Sequence, residues 1–124
     1  MLLVTIAETV TTATVSIEEE IEWLQDFEAL CLKHMDNVNL SIKTVAEDLA
    51  MSYSTLWREL KRTIGMTPNQ YLQEIRFREA RKYLEERRYS SIKRVAYAVG
   101  FKDVRNFSRN FKKRFGKYPS EFLE

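Results

Sequence analysis

Two segments of this chain, about fifty residues apart, carry arginine, hydroxyl, amide and aromatic side chains at helical spacing. If Leu56 and Leu60 face a core in the first segment, and Phe107 and Phe111 in the second, polar side chains lie on the outside of both helices. The outward sets are Tyr53, Ser54, Trp57, Arg58 and Lys61, and then Val104, Arg105, Asn106, Ser108, Arg109 and Lys112. Arginine can hydrogen-bond guanine, asparagine can bond adenine, and hydroxyl or apolar groups can contact phosphate or thymine methyls. For any one residue, solvated helix surface is an equal alternative, whereas matched placement in two segments favours base contact.

The two segments belong to an internal repeat. The peptide IKTVA at 42–46 returns as IKRVA at 92–96. The offset is 50 residues as far as Leu49 and Val99, and 51 residues from Leu56 and Phe107 onward. One residue is therefore inserted between two otherwise matching pieces, and a turn between helices accommodates it best. A helical unit used twice predicts a binding surface used twice.

Each copy has the pattern of a short helix, a tight turn and a longer helix. Ala46 and Ala96 fall where the two helices must cross closely, so a small side chain is required there. Gly100 occupies the second turn, where a positive φ angle is commonly needed, and Ala50 stands in its place in the first copy. Both copies are predicted to be helix-turn-helix units.

Helix start signals support this division. Ser41 and Ser52 can cap the helices of the first copy. Thr67 and Gln70 have the form of a capping box with Pro68 at the first helical position. No stretch after residue 17 alternates polar and apolar residues for long, so the predicted fold class is all-α. The expected divisions are a poorly ordered leader or linker at 1–17, a first subdomain at 18–66, a connecting helix at 67–88 and a second subdomain at 89–124.

Charge is divided unevenly along the chain. Residues 1–40 carry one basic and eight acidic residues, a net charge of −7, whereas residues 41–124 carry 19 basic and 10 acidic residues, a net charge of +9. The basic part is the part with the repeat. Such a surplus on a small domain is typical of proteins that bind polyanions.

Other function classes find little support. The single cysteine, Cys31, cannot form an internal disulfide and indicates a reducing, cytoplasmic setting. His34 is the only histidine, so neither a metal site nor a catalytic base is expected, and no cofactor is predicted. No run approaches the roughly 20 apolar residues of a membrane span, and no membrane contact is expected.

The separation of the two copies fits duplex DNA. A helix from Asn69 to Arg88 would span about 30 Å at about 1.5 Å per residue. Successive major grooves on one face of B-DNA are about 34 Å apart. One chain could thus place two different helices in adjacent grooves of an asymmetric site without forming a dimer.

Two local alternatives stay open. The apolar spacing from Trp23 to Met35 predicts an amphipathic first helix in the acidic part of the chain. Trp57 could contact DNA or pack against this helix. Arg76 and Arg78 on the connecting helix could contact phosphate or pair with Glu74 or Glu79.

The motifs resemble those of the AraC/XylS family of bacterial transcription regulators. The second copy contributes AYAVGF at 96–101, FSRNFK at 107–112 and GKYP at 116–119; the first contributes MSYS at 51–54 and GMTP at 65–68. The resemblance covers about residues 23–123. Tyr118 departs from the family pattern, which has serine or threonine before the second proline.

The resemblance implies about seven helices in two homeodomain-like three-helix units joined by a long helix. It implies binding to promoter DNA, and RNA polymerase is a candidate further partner. Base-reading candidates carried over by position are Ser54, Thr55, Trp57, Arg58, Val104, Arg105, Asn106, Ser108 and Arg109. Candidate phosphate contacts are Ser41, Ser52, Tyr53, Lys61, Ser91, Lys93, Lys102 and Lys112.

Many members of the family carry a sensor upstream of this domain. Residues 1–40 are too short to fold as one, so the chain is expected to be the C-terminal effector domain of a larger one-component or hybrid two-component regulator. A free-standing small activator is one alternative. A helix-turn-helix module that binds an acidic protein is another.

Overall fold

The chain forms six α-helices and one 3-10 turn in the computed structural model, which describes the backbone of residues 2–124 and the side chains of residues 17–124. The helices are α1 (Leu2–Lys33), α2 (Ile42–Asp48), α3 (Tyr53–Ile64), α4 (Pro68–Glu85), α5 (Ile92–Ala98) and α6 (Val104–Phe115). The expected seventh helix is a single 3-10 turn, Pro119–Phe122. The described backbone contains no strand, so the predicted all-α class is confirmed.

Helix α1 is longer than the sequence pattern indicated. Its backbone is helical from Leu2, so it continues through the predicted leader at 1–17, where no glycine or proline interrupts it. The side chains of residues 1–16 lie outside the described residues. The division into leader, subdomains and connector stays a prediction.

Side-chain caps begin most of the remaining helices. The hydroxyls of Ser52 and Ser91 accept hydrogen bonds from the third residue of α3 and of α5, at 3.1 and 3.2 Å. The carboxylate of Asp103 caps α6 in the same way, at 3.0 Å. Thr67 and Gln70 form the predicted capping box of α4. Ser41 occupies the cap position of α2 but accepts no such bond, so the cap predicted there is wrong.

The turns inside the two helix-turn-helix units have the same hydrogen bonds. The N–H of Met51 donates to the carbonyl of Ala46 at 2.9 Å, and the N–H of Phe101 donates to that of Ala96 at 2.8 Å. The turn residue is left-handed in both copies, with φ of 56° at Ala50 and 90° at Gly100. The repeat seen in the sequence is therefore a repeat of backbone geometry.

One continuous core joins the two units, and α4 passes through it. The buried side chains of α4 include Leu72, Ile75, Ala80 and Leu84. On the side of the first unit, the ring of Tyr71 stacks on Phe27 of α1 with centroids 5.6 Å apart.

Aromatic contacts extend this core into the second unit. The ring of Phe77 on α4 lies 4.9 Å from that of Phe101 and 6.0 Å from that of Phe107. The second unit thus packs on α4 through a cluster of phenylalanines.

Helix α4 ends earlier than predicted. It has 18 residues, which corresponds to a length of about 27 Å. The helix ends at Glu85 because Arg87 adopts a left-handed conformation with φ of 52°. The N–H groups of Arg87 and Arg88 then bond back to Leu84 and Tyr83, a helix-terminating turn that uses no glycine.

Carboxylates fasten α4 to its neighbours. Glu74 accepts bonds from Arg114 of α6 at 2.9 and 2.5 Å, and these bonds, opposed by burial, lower the pKa of Glu74. Glu28 of α1 accepts from Tyr71 and Arg78. Burial acts to raise the pKa of Glu28, but these hydrogen bonds bring it below its usual value.

The left-handed turn at Ala50 generates a stability prediction. We expect Ala50→Gly to raise the melting temperature, because relief of about 1–2 kcal/mol of left-handed strain exceeds the roughly 0.4–1 kcal/mol of entropy that glycine adds to the unfolded chain. Ala29→Gly, the same change on the exposed face of α1, should cost about 0.5–1 kcal/mol. Thermal unfolding followed by circular dichroism measures both. A drop at Ala50 comparable to that at Ala29 would contradict the strain assignment.

The pair of Glu74 and Arg114 generates a pH prediction. Since the folded-state pKa of Glu74 lies below its ordinary 4.5, its stabilisation is present above that pH and is lost as the pH falls through the lower, folded value. Glu74→Gln should therefore lower the urea midpoint at pH 7, with the deficit shrinking in acid. Glu85→Gln, in an exposed pair within α4, is the matched control and should change little. An equal deficit for Glu74→Gln at both pH values would show that the pair is not responsible.

Candidate nucleic-acid interface

Four of the predicted base-reading residues of the second unit lie together on α6. Val104, Arg105, Ser108 and Arg109, together with the capping residue Asp103, line one open depression of about 510 Å³. Positions i, i+1, i+4 and i+5 of a helix share one face, so the cluster follows from helical spacing. Arg105 and Arg109 are exposed, whereas Val104 and Ser108 are half-buried.

Asn106 lies on a different side of α6. It lines a second depression of about 640 Å³ with Gln73 and Phe77 of α4. Its side-chain oxygen accepts a hydrogen bond from the amide of Asn110 at 3.1 Å. Bidentate bonding to adenine uses both ends of the amide, so the oxygen of Asn106 would have to share its acceptor capacity between adenine and Asn110.

The corresponding face of α3 carries larger side chains. An offset of 51 residues matches Tyr53, Ser54, Trp57 and Arg58 to the four clustered residues of α6, and all four are exposed. The side chains of Tyr53 and Trp57 are 39% and 41% exposed. The sequence places Tyr53 on the outward side of the first copy but names it only among the candidate phosphate contacts. Tyr53 lies on the face of α3 that corresponds to the cluster on α6, and the 51-residue offset from Val104 is the signal that could have added it to the base-reading candidates.

Thr55 contributes to the start of α3. It is half-buried, and its hydroxyl accepts a hydrogen bond from Ser52 at 2.8 Å. Its N–H donates to the same serine. Thr55 therefore stabilises the N-terminus of the helix, the position at which α3 would meet DNA.

The arginines of the two helices fall into two groups. Arg62 of α3 pairs with Glu20 and Glu59, and Arg114 of α6 pairs with Glu74. No ion pair found among residues 17–124 involves the other arginines of these helices, Arg58, Arg105 and Arg109. The guanidinium groups that remain available are those on the outward face.

Several predicted phosphate contacts lie at helix ends. The hydroxyls of Ser52 and Ser91 are at the N-termini of α3 and α5, where backbone N–H groups favour anions. Two lysine candidates for phosphate contact lie over aromatic rings. The ammonium nitrogen of Lys93 is 5.7 Å from the ring centroid of Tyr97, and that of Lys112 is 4.3 Å from the ring centroid of Tyr118.

Three further candidates for phosphate contact are accessible to solvent. Ser41 and Lys102 are exposed, and so is Lys61, whose ammonium group is 3.5 Å from the carbonyl oxygen of Gly65.

Two arginines of α4 are engaged inside the protein. Arg78 pairs with Glu28 of α1. Arg76 is buried and donates to the carbonyls of Asn37 and Gly100. Of the two alternatives left open, both arginines are engaged internally, but with Glu28 and two backbone carbonyls instead of Glu74 or Glu79, because the sequence does not indicate contacts between residues so far apart.

Metal binding, thiol chemistry and membrane insertion have little support in the described residues. No group of three or more histidine, cysteine or carboxylate residues within 17–124 is placed to hold a metal ion. Burial raises the pKa of Cys31 to about 12, which keeps its thiol protonated. Nor is any described helix long and apolar enough to cross a bilayer.

Comparison with known proteins identifies relatives of the chain. A family model described as a helix-turn-helix domain matches residues 45–124. The HTH-type transcriptional activator RhaS of Escherichia coli strain SE11 is 35% identical over 104 residues, covering 84% of this chain and 34% of that protein. Histidine kinase P4 of Formosa agariphila is 34% identical over 89 residues, covering 72% of this chain and 6% of that protein.

Solved structures share the fold. A Chromobacterium violaceum transcriptional regulator described as having an AraC-type DNA-binding domain superposes with a TM-score of 0.75 at 25% identity, covering 88% of this chain and 93% of that one. The DNA-binding domain of AdpA, solved in complex with a target DNA, gives a TM-score of 0.69 at 27% identity, covering 81% and 88%. The chain spans 34% and 6% of the lengths of the two curated relatives. With its double helix-turn-helix fold and these relatives, the chain belongs to the AraC/XylS family and is a DNA-binding domain of a transcription regulator.

Proposed function

We propose that this chain binds promoter DNA by placing α3 and α6 in two adjacent major grooves, with the outward faces of both helices reading base edges. The observation that carries the proposal is the cluster of Val104, Arg105, Ser108 and Arg109 around one depression, matched by Tyr53, Ser54, Trp57 and Arg58 on α3. Either set alone would be ordinary helix surface. Matched faces on two units that share one core make a composite binding surface.

The side chains divide naturally by chemistry. Arg58, Arg105 and Arg109 are suited to bidentate contacts with guanine. Trp57 and Val104 offer apolar surface to thymine methyl groups.

The remaining base-reading candidates differ in how available their polar groups are. Ser54 and Ser108 can bond several base edges or phosphate. Thr55 and Asn106 are secondary candidates, since each has a polar atom already engaged within its own helix or cap.

Phosphate contacts would set the register of the two helices on the duplex. The candidates combine helix N-termini with lysines beside the reading helices: Ser41, Ser52, Tyr53, Lys61, Ser91, Lys93, Lys102 and Lys112. Such contacts provide affinity that is independent of sequence and falls with salt.

The length of α4 suits one chain on one face of DNA. Its roughly 27 Å is comparable with the roughly 34 Å between successive major grooves. Because α3 and α6 differ in sequence, the target site is asymmetric. A single chain occupies it without a dimer.

The full protein is proposed to be a larger sensor-regulator with this chain as its C-terminal effector domain. The support is that relatives named as an activator and a histidine kinase match it over only a fraction of their lengths. Activation through RNA polymerase in the bacterial cytoplasm, with no catalysis by this segment, completes the proposal. A free-standing small activator is the alternative.

Arginine substitutions test base reading. On the duplex that the chain selects from random sequence, Arg105→Ala or Arg109→Ala should weaken specific relative to non-specific binding by about 1–3 kcal/mol per lost bidentate contact. Lys112→Ala should weaken both kinds of binding about equally and reduce the salt slope by about 1. Arg81→Ala, which removes an exposed pair within α4, is the control. Binding is measured by fluorescence anisotropy over a salt series.

Two outcomes would contradict this assignment. Equal losses on selected and random DNA for all three α6 variants would exclude base reading by these arginines. Salt-dependent binding without sequence preference would instead favour the module that binds an acidic protein.

Tryptophan fluorescence tests the role of α3. The chain has two tryptophans, so Trp23→Phe leaves the exposed Trp57 as the only tryptophan, which is excited selectively at wavelengths that tyrosine does not absorb. Acrylamide should quench Trp57 readily in the free protein and less in the presence of the selected duplex. Unchanged quenching on saturation with that duplex would place Trp57 outside the interface.

A further inference from the structure

Arg76 is a buried guanidinium between the two helix-turn-helix units. Its side chain is 5% exposed near the middle of α4. One terminal nitrogen donates to the carbonyl of Gly100 at 3.3 Å, and the other donates to the carbonyl of Asn37 at 3.1 Å. Gly100 is in the turn of the second unit, and Asn37 is in the segment that leads into α2 of the first. A single side chain therefore links the two units.

Both carbonyls belong to well-formed turns. The carbonyl of Asn37 also accepts from the N–H of Leu40 at 3.1 Å, and the side chain of Asn37 accepts from the N–H of Asn39 at 3.0 Å. Gly100 donates its own N–H to Tyr97 at 3.1 Å. The guanidinium thus connects two segments whose backbones are already constrained.

The arrangement is a costly way to fill a core position. Among residues 17–124, no carboxylate pairs with Arg76, and its Nε has no hydrogen-bond partner. Burial lowers the pKa of Arg76 accordingly. An apolar side chain of similar volume would avoid this desolvation, and replacing buried charges in this way often stabilises a protein. What arginine adds is a rigid planar fork that fixes two acceptors relative to each other.

Gly100 adds a second constraint at the same place. A Cβ atom there would lie 2.3 Å from the carbonyl oxygen of Met35 and 3.0 Å from Cζ of Arg76. The φ angle of Gly100 is +90°. The turn of the second unit therefore rests directly on the backbone at the end of α1, with no side chain between them to yield.

These contacts lie close to the start of α2 in the first unit and to the start of α6 in the second. Asp103, the cap of α6, is three residues beyond Gly100, and Ile42, the first residue of α2, is five residues beyond Asn37. A change at Arg76 would therefore alter how α6 is held relative to α2 and α3.

We propose that Arg76, the carbonyls of Asn37 and Met35, and Gly100, together the Arg76 node, fix the separation and angle between α3 and α6 and thereby set the spacing of the two base blocks that the chain accepts. The inference rests on the proposed function in that both helices read DNA. Arg76 is a positioning residue, since it touches no base. The node makes spacing a property of the protein, independent of which bases each helix prefers.

A spacing series tests the node. The selected duplex is altered by inserting or deleting one or two base pairs between its two blocks. The unaltered chain should lose at least about tenfold in affinity per altered step, comparable to one mismatched base pair. Arg76→Met, of similar length but without donors, should bind the best site more weakly and vary by about threefold or less across the series, since mobile units adapt to each spacing. Arg78→Met, on the same helix but paired with Glu28, should keep the sharp profile.

Distances between spin labels test the node without DNA. Labels at Arg58→Cys and Arg109→Cys report the separation of the two reading faces, and the buried thiol of Cys31 need not be replaced. Arg76→Met should broaden the distance distribution, whereas Arg78→Met should leave it unchanged. Arg76→Lys, which keeps the charge but has a single donor atom, should be intermediate.

The outcomes separate this inference from the proposed function. If the unaltered chain selects no two-block site, the proposed function and the spacing rule both fail, while label distances still decide whether Arg76 holds the helices. If it selects such a site and Arg76→Met keeps both the sharp profile and the narrow distribution, the node is overturned. If Arg76→Met does not melt cooperatively, the spacing series is measured on Arg76→Lys and Gly100→Ala instead. Spacing profiles as sharp as that of the unaltered chain in both variants would refute the role of the Arg76 node.

Discussion

Helix α4 has to contribute side chains to the core of both helix-turn-helix units at once, and the remainder of the structure depends on that constraint. Neither unit, with two short helices around one turn, encloses enough apolar surface to be stable alone. Tyr71 packs against Phe27 in the first unit, and Phe77 packs against Phe101 and Phe107 in the second. The two units therefore share α4 as a common packing surface, and this helix holds their outward faces in a fixed arrangement.

Packing on the shared helix α4 explains how two similar units can differ on their outward faces. The inward residues are matched because both copies must pack on one helix, as at Leu56 and Phe107. The outward residues are released from packing, so the two copies present different side chains, such as Trp57 and Ser108, at equivalent positions. If the outward faces read bases as proposed, specificity resides where the two copies differ, while affinity depends on a geometry that the matching residues maintain.

Local chemistry could be predicted from the sequence, whereas long-range contacts could not. The caps at Ser52 and Thr67 follow from spacing within one turn of helix, as does the outward face of α6. The contacts of Arg76 join residues 24 and 39 positions away, and no periodicity indicates them. Asn106 shows an intermediate case: its exposure and its position two residues beyond Val104 are apparent from the helix, but its bond to Asn110 is seen only in the structure.

In the proposed function, one chain reads two different blocks of bases with helices held in a fixed arrangement. Selection of bound duplexes from a random pool, followed by measurement of the protein-to-DNA ratio on the winning sequence, is the decisive experiment. We expect one asymmetric motif with two blocks about 10 base pairs apart, centre to centre, bound by a single chain. Recovery of a palindrome bound by two chains, or of no motif, would contradict it.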